Sequence, residues 1–118
     1  DFYKKLTSNE LIAILIAAAG HDLAHPGVGN SFLVNAKHKL AKRHKNKAVL
    51  ERFHAEYCLF LLDAEGTDIL SHLPATQQEH IKHTISKCIH ITDMESHHEL
   101  LAELDECARQ KKELCSEE

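Results

Sequence analysis

Tryptophan is absent from this 118-residue chain, glycine occurs four times and proline twice. So few turn-formers, with Leu, Ile, Ala, Glu, Lys and His dominant, favour helices over strands. No alternation of apolar and polar residues marks a strand anywhere. Long hydrophobic runs are also missing. The longest, Leu11 to Ala19, falls far short of the roughly 20 residues that cross a bilayer, so the chain holds no membrane segment. Charge of one sign is not in excess. A formal net charge of -4 with 27% charged residues is ordinary for a soluble protein and does not suggest a nucleic-acid partner. The start, Asp1-Phe2-Tyr3-Lys4-Lys5, shows no signal peptide. Four cysteines (Cys58, Cys88, Cys107 and Cys115) include no C-x-x-C pair, and two fall in apolar helical patterns, where free Cys acts as a small hydrophobe. A reduced, intracellular, cytoplasmic setting is expected. The length suits one domain or part of one.

What the chain has in excess is histidine, 11 residues of it. Histidine is the commonest metal ligand and the commonest acid-base group near neutral pH. The excess raises the prospect of a metal site without locating it.

Helical patterns fill most of the chain, and the fold class expected is all-α. Thr7 and Glu10 form a T-x-x-E capping box. The helix that follows is apolar nearly all round and reads as central and buried. It ends at Gly20-His21-Asp22, and Pro26-Gly27 breaks it. Asn30 can cap a short second helix through Phe32, Leu33 and Val34. Lys37 to Lys47 is basic and reads as a solvated loop or exposed helix face, with a basic docking patch as the alternative. From Ala48 to Asp63, Leu50, Phe53, His54, Tyr57 and Leu61 share one face. Glu65-Gly66 ends that helix. Thr67-Asp68 starts a short turn that Pro74 stops. Thr76 and Glu79 form a second capping box, after which Ile81, Ile85, Cys88, Ile89 and Thr92 line one face. A last helix carries Leu100, Leu101, Leu104, Cys107, Ala108 and Leu114.

The most informative segment is His21-Asp22-Leu23-Ala24-His25-Pro26-Gly27. Imidazole and carboxylate are good ligands for zinc and other first-row metals. A carboxylate has two oxygens and can bridge two ions, and two adjacent ions suit phosphoryl chemistry. His21 and His25 also have the i, i+4 spacing of the H-E-x-x-H zinc proteases. Against that reading stand Asp22 in place of Glu and the helix break at Pro26-Gly27.

HDLAHPG followed by VGNSFLVNAKH closely resembles the metal-binding signature of class I cyclic nucleotide phosphodiesterases. LTSNELIAILIAAAG resembles the helix leading into it, VLERFH the segment carrying a Glu and a His beside the metals, and ITDMESH the T-D-M motif. The four lie in the family's order and span about Leu6 to Leu104. The resemblance implies that His21 and Asp22 are metal ligands, with Asp22 bridging two ions. It implies that His25 lies near the metal-bound waters, that Glu51 and His54 orient water on the second ion, and that Thr92 and Asp93 edge the site. It places Met94 near the substrate and makes His97 structural. The cofactors implied are two divalent metals, Zn2+ at the tighter position and Mg2+ or Mn2+ at the oxygen-rich second. The partner implied is a cyclic nucleotide, cAMP or cGMP, hydrolysed to the 5′-monophosphate.

Ala24 stands where many members have Asp, Arg52-Phe53 replaces Asn-His, and Glu95-Ser96 replaces Ser followed by a basic residue. The family's upstream H-N-x-x-H segment, which supplies the leaving-group acid and another metal-binding histidine, is not found among the first 20 residues. A later Asp ligand and the purine pocket are also not found. Residues 1–118 therefore read as the central part of a catalytic domain that continues on both sides, nearly inactive by itself. Two rivals stand beside this reading. One is a His-Asp hydrolase acting on another phosphoester. The other is a non-catalytic truncated relative or helical interaction module.

Overall fold

A computed structural model describes residues 5–116, without the side chains of Ser96 and residues 111–116. Its elements are α1 (Ser8–Gly20), α2 (Asn30–Asn35), α3 (Lys39–Arg43), α4 (Val49–Asp63), α5 (Ala75–His90), a 3-10 turn (Met94–Ser96) and α6 (His97–Ser116). Among the described residues there is no strand, and the all-α expectation is met.

Thr7 starts α1 by a reciprocal pair of bonds. The Glu10 amide donates to Thr7 Oγ1, and the Thr7 amide donates to Glu10 Oε2 at 2.7 Å. That amide holds the Glu10 carboxyl below its ordinary range. α5 starts differently from the expected Thr76–Glu79 box. Pro74 is its N-cap, and the Gln77 and Gln78 amides already donate to the Pro74 carbonyl. Thr76 therefore lies inside the helix and lacks the extended backbone that a capping residue needs.

The core is a three-helix packing of α1, α4 and α5. It buries Ala13 and Ala17 of α1, Ala55, Cys58 and Leu62 of α4, and Ile81, Ile85 and Ile89 of α5. α1 is not buried all round. Its small residues face the other helices, while Ile12, Ile14 and Leu15 are exposed, Leu15 at 70%. Close helix approach selects alanine and glycine on the contact side, so hydropathy alone misjudged which side is inside. α4 shows a related shift. Leu50 and His54 are buried as expected, but with Val49, Ala55, Cys58 and Leu62 rather than with Tyr57. Phe53, Tyr57 and Phe60 instead form a run of neighbouring rings along the opposite flank.

A second, smaller cluster joins Leu33 of α2, Ala41 of α3 and Val49 and Leu50 of α4. It pins α2 over the start of α4. α3 carries the basic stretch on an exposed face, as expected. Among the described residues α6 packs only against the turn before it. Leu114, expected on that helix, falls outside the described side chains.

Candidate metal centre

After Gly20 the chain folds over the end of α1. The Leu23 amide donates to the Gly20 carbonyl and the His25 amide to the Asp22 carbonyl. Ala24 takes a left-handed backbone, φ +57°. Gly20 lets α1 approach α4 closely, because a Cβ there would lie 2.8 Å from Cys58 Sγ. The loop is thereby set above the first turns of α4, and a cavity of about 340 Å³ forms between them. His21, Asp22, His25, Leu50, Glu51, His54 and Thr92 line it.

Hydrogen bonds decide what each histidine offers. His54 is buried, and its Nδ1 lies 2.7 Å from the Leu23 carbonyl oxygen. A carbonyl only accepts, so Nδ1 carries hydrogen and Nε2 of the neutral ring keeps a lone pair. That Nε2 is buried without a hydrogen-bond partner among the described residues. It faces Asp22 Oδ1 at 3.7 Å. His21 repeats the pattern in a more open position. Its Nδ1 lies 2.9 Å from the Ala18 carbonyl oxygen, and its Nε2 faces Asp22 Oδ2 at 3.9 Å. Asp22 thus turns one oxygen to each of two imidazole lone pairs.

Acceptors that face acceptors repel, and a cation among them turns repulsion into coordination. Metal-binding histidines commonly give their second ring hydrogen to a backbone carbonyl, as both do here. The donor set therefore fits a divalent metal.

His25 is the opposite case. Its Nδ1 accepts the Gly27 amide hydrogen at 3.0 Å, so the neutral ring carries its own hydrogen on Nε2 and presents a donor. The ring stacks on His54 with centroids 5.5 Å apart. Asp22, His25 and His54 each bring a ligand-type atom within 4.8 Å of the others, but the tautomers separate His25 from the two lone-pair histidines.

Glu51 is half-buried at the third position of α4, and its Oε2 accepts from Asn30 Nδ2 at 2.9 Å. Thr92 donates its hydroxyl hydrogen to the Ile89 carbonyl and lines the cavity. Asp93 and Met94 are not among the lining residues. Asp93 is buried and caps the 3-10 turn through the Glu95 amide, and Met94 is 73% exposed. His97 opens α6, ring to ring with His98.

Residues 1–118 match the family described as 3′5′-cyclic nucleotide phosphodiesterase. The chain belongs to that family. The chain is 35% identical over 101 residues to 3′,5′-cyclic-AMP phosphodiesterase 4 of Dictyostelium discoideum, covering 86% of the chain and 10% of that protein. It is 36% identical over 106 residues to 3′,5′-cyclic-AMP phosphodiesterase 4C of Rattus norvegicus, covering 90% of the chain and 20% of that protein. The crystal structure of the phosphodiesterase domain of the RhoPDE fusion protein from the choanoflagellate Salpingoeca rosetta superposes with a TM-score of 0.86 at 34% identity. That match covers 90% of this chain and 33% of that domain. The chain therefore spans a fifth or less of these curated relatives and a third of the solved domain.

Reading the sequence missed two contributors to the site. Asn30 lies within the VGNSFLVNAKH stretch, but its fit to a capping position hid its longer reach. The carbonyls of Ala18 and Leu23, which set the tautomers, leave no side-chain signal.

Proposed function

We propose that the protein carrying this chain hydrolyses 3′,5′-cyclic nucleotides, cAMP or cGMP, to 5′-monophosphates at a two-metal site. The observation that carries this is the Asp22 carboxylate placed between the lone pairs of His21 and His54. His21 and Asp22 would hold the tighter ion, for which nitrogen and oxygen donors suit zinc. An oxygen-rich second position suits Mg2+ or Mn2+. Such ions supply charge that neutralises phosphoryl oxygens and makes water a nucleophile at neutral pH.

The chain's own residues supply orientation. A molecule entering the cavity meets an acceptor in His54, a donor in His25 and a carboxylate in Glu51, which suffices to align the hydrogens of a water. Of Thr92, Asp93 and Met94, Thr92 lines the cavity and is the substrate contact carried forward. In the reaction the water oxygen joins phosphorus, the bond from phosphorus to O3′ breaks and O3′ takes a proton. That proton is expected from the H-N-x-x-H segment, which residues 1–118 do not contain. The rest of the domain is expected to pack on the bare Ile12, Ile14 and Leu15 face of α1. A cytoplasmic setting accords with the free thiols Cys58, Cys88 and Cys107. No described helix is long and apolar enough to cross a membrane.

The test is to incubate the purified full-length protein with cAMP or cGMP and Mg2+, and to separate the nucleotides by chromatography. AMP or GMP should form, and a chelator should stop it. Turnover of neither cyclic nucleotide, with metal supplied, would contradict the proposal, and turnover of another phosphoester would favour the alternative hydrolase.

A further inference from the structure

The start of α4 has a defect in its own sequence. Its N-cap, Ala48, has no polar side chain and adopts a left-handed backbone, φ +43°. The first amides of a helix lack intrahelical acceptors, and here no local side chain supplies one. Asn30, 20 residues upstream of Leu50, fills the gap. Its Oδ1 accepts the Leu50 amide hydrogen at 2.8 Å. An amide can only donate, so the atom facing it must be oxygen, and Nδ2 must point the other way. There it donates to Glu51 Oε2 at 2.9 Å. One carboxamide therefore caps α4 and grips the carboxylate of Glu51, a residue that lines the cavity.

We propose that Asn30 is a positioning residue for the metal centre, acting through Glu51. Resting on the reading of Glu51 as a group beside the ions, the assignment gives Asn30 a task that a capping residue alone would not have. A free Glu side chain samples several rotamers. Asn30 holds the carboxylate in one of them, and it does so from α2, which the Leu33 cluster holds against α4. The requirement is specific to asparagine. Aspartate keeps the cap but offers no hydrogen to Glu51 and sets two carboxylates against each other.

Asn30→Asp separates the two tasks in the full-length protein. Its unfolding temperature should stay above that of Asn30→Ala, since the carboxylate keeps the cap that alanine loses even as it repels Glu51. Its affinity for Mn2+, measured by calorimetry and independent of turnover, should fall by about 10-fold or more, the usual cost of losing a group that orients a ligand. In a Glu51→Gln background the same substitution should cost nothing further, because the introduced carboxamide can donate to the introduced carboxylate. Parental Mn2+ affinity in Asn30→Asp, or an equal loss in the Glu51→Gln background, would overturn the proposal. Asn30→Ala should lose both stability and affinity, and loss of stability alone would reduce Asn30 to a cap. All these readouts stand even if the full-length protein turns over no cyclic nucleotide, so the failure of the functional reading would be visible separately.

Discussion

Asp22 and His54 face each other across 3.7 Å, Oδ1 to Nε2, with the histidine buried and its other nitrogen 2.7 Å from the Leu23 carbonyl oxygen. A carboxylate and a lone pair in that relation repel until a cation joins them. His54 cannot turn away, because its Nδ1 bond and its burial among helix residues fix the ring. His21 completes the pattern on the other carboxylate oxygen. Three side chains and two backbone carbonyls thus give a donor set that fits a metal ion.

Ala24 sits in this loop at φ +57° without the glycine that such a backbone favours. The left-handed conformation costs an L-residue about 1–2 kcal/mol. Ala24→Gly should raise stability by roughly 0.5–1 kcal/mol, less than the full strain because glycine gains freedom when unfolded. Asn or Asp should also be tolerated, since both enter this region more readily than Ala. A higher urea midpoint at unchanged slope would confirm this. An unchanged or lower midpoint for the glycine variant would show that the loop stores no such strain.

Gly20 and Cys58 mark a close approach of α1 to α4, where a Cβ on residue 20 would lie 2.8 Å from Cys58 Sγ. Gly20→Ala should destabilise by about 1–3 kcal/mol, as overpacking does. Cys58→Ala in the same chain should recover most of that loss, and the double-mutant cycle should show strong coupling. Additive losses would mean that the two helices do not meet as described.

These two positions show what was legible in the sequence and what was not. Helix α1, its Thr7–Glu10 box and its delivery of His21 and Asp22 could be read directly, because capping and periodicity are local. The side of α1 that packs could not, because Ala13, Ala17 and Gly20 are chosen by the distance between helices rather than by hydropathy. The same holds for Asn30. Its residue type fits a local cap, and only the fold reveals that Gly29 precedes the helix and that Asn30 reaches α4. Among the candidate site residues, His21, Asp22, His25, Glu51, His54 and Thr92 meet at one cavity. Asp93 and Met94 are near in sequence, but Asp93 caps the 3-10 turn and Met94 is exposed away from the cavity lining.

His44 is expected to give the protein a pH dependence remote from the candidate metal centre. It is buried, with Nδ1 3.8 Å from Glu56 Oε1, while Arg43 takes the other Glu56 oxygen at 2.7 Å. Burial pushes its pKa down, Glu56 opposes this, and Arg43, Arg52 and His90 add to the depression. The unfolded chain then binds this proton more readily than the folded one. Stability from this group is present above the ordinary imidazole value of about 6.5 and is lost as pH falls through the depressed folded value. Urea midpoints measured between about pH 7.5 and pH 5 should decline, and His44→Leu should remove part of the decline. An identical decline in parent and variant would exclude His44 as its source.

The claim on which the rest depends is that Asp22 holds metal together with His21. Its most direct test is the zinc content of the full-length protein and of its Asp22→Asn variant, purified alike and measured by elemental mass spectrometry. The parent should hold about one zinc per chain, as a site of strong nitrogen and oxygen donors does, and the variant should lose it while keeping its helical circular dichroism. Equal zinc in both proteins, or none in the parent when zinc is supplied, would contradict the account.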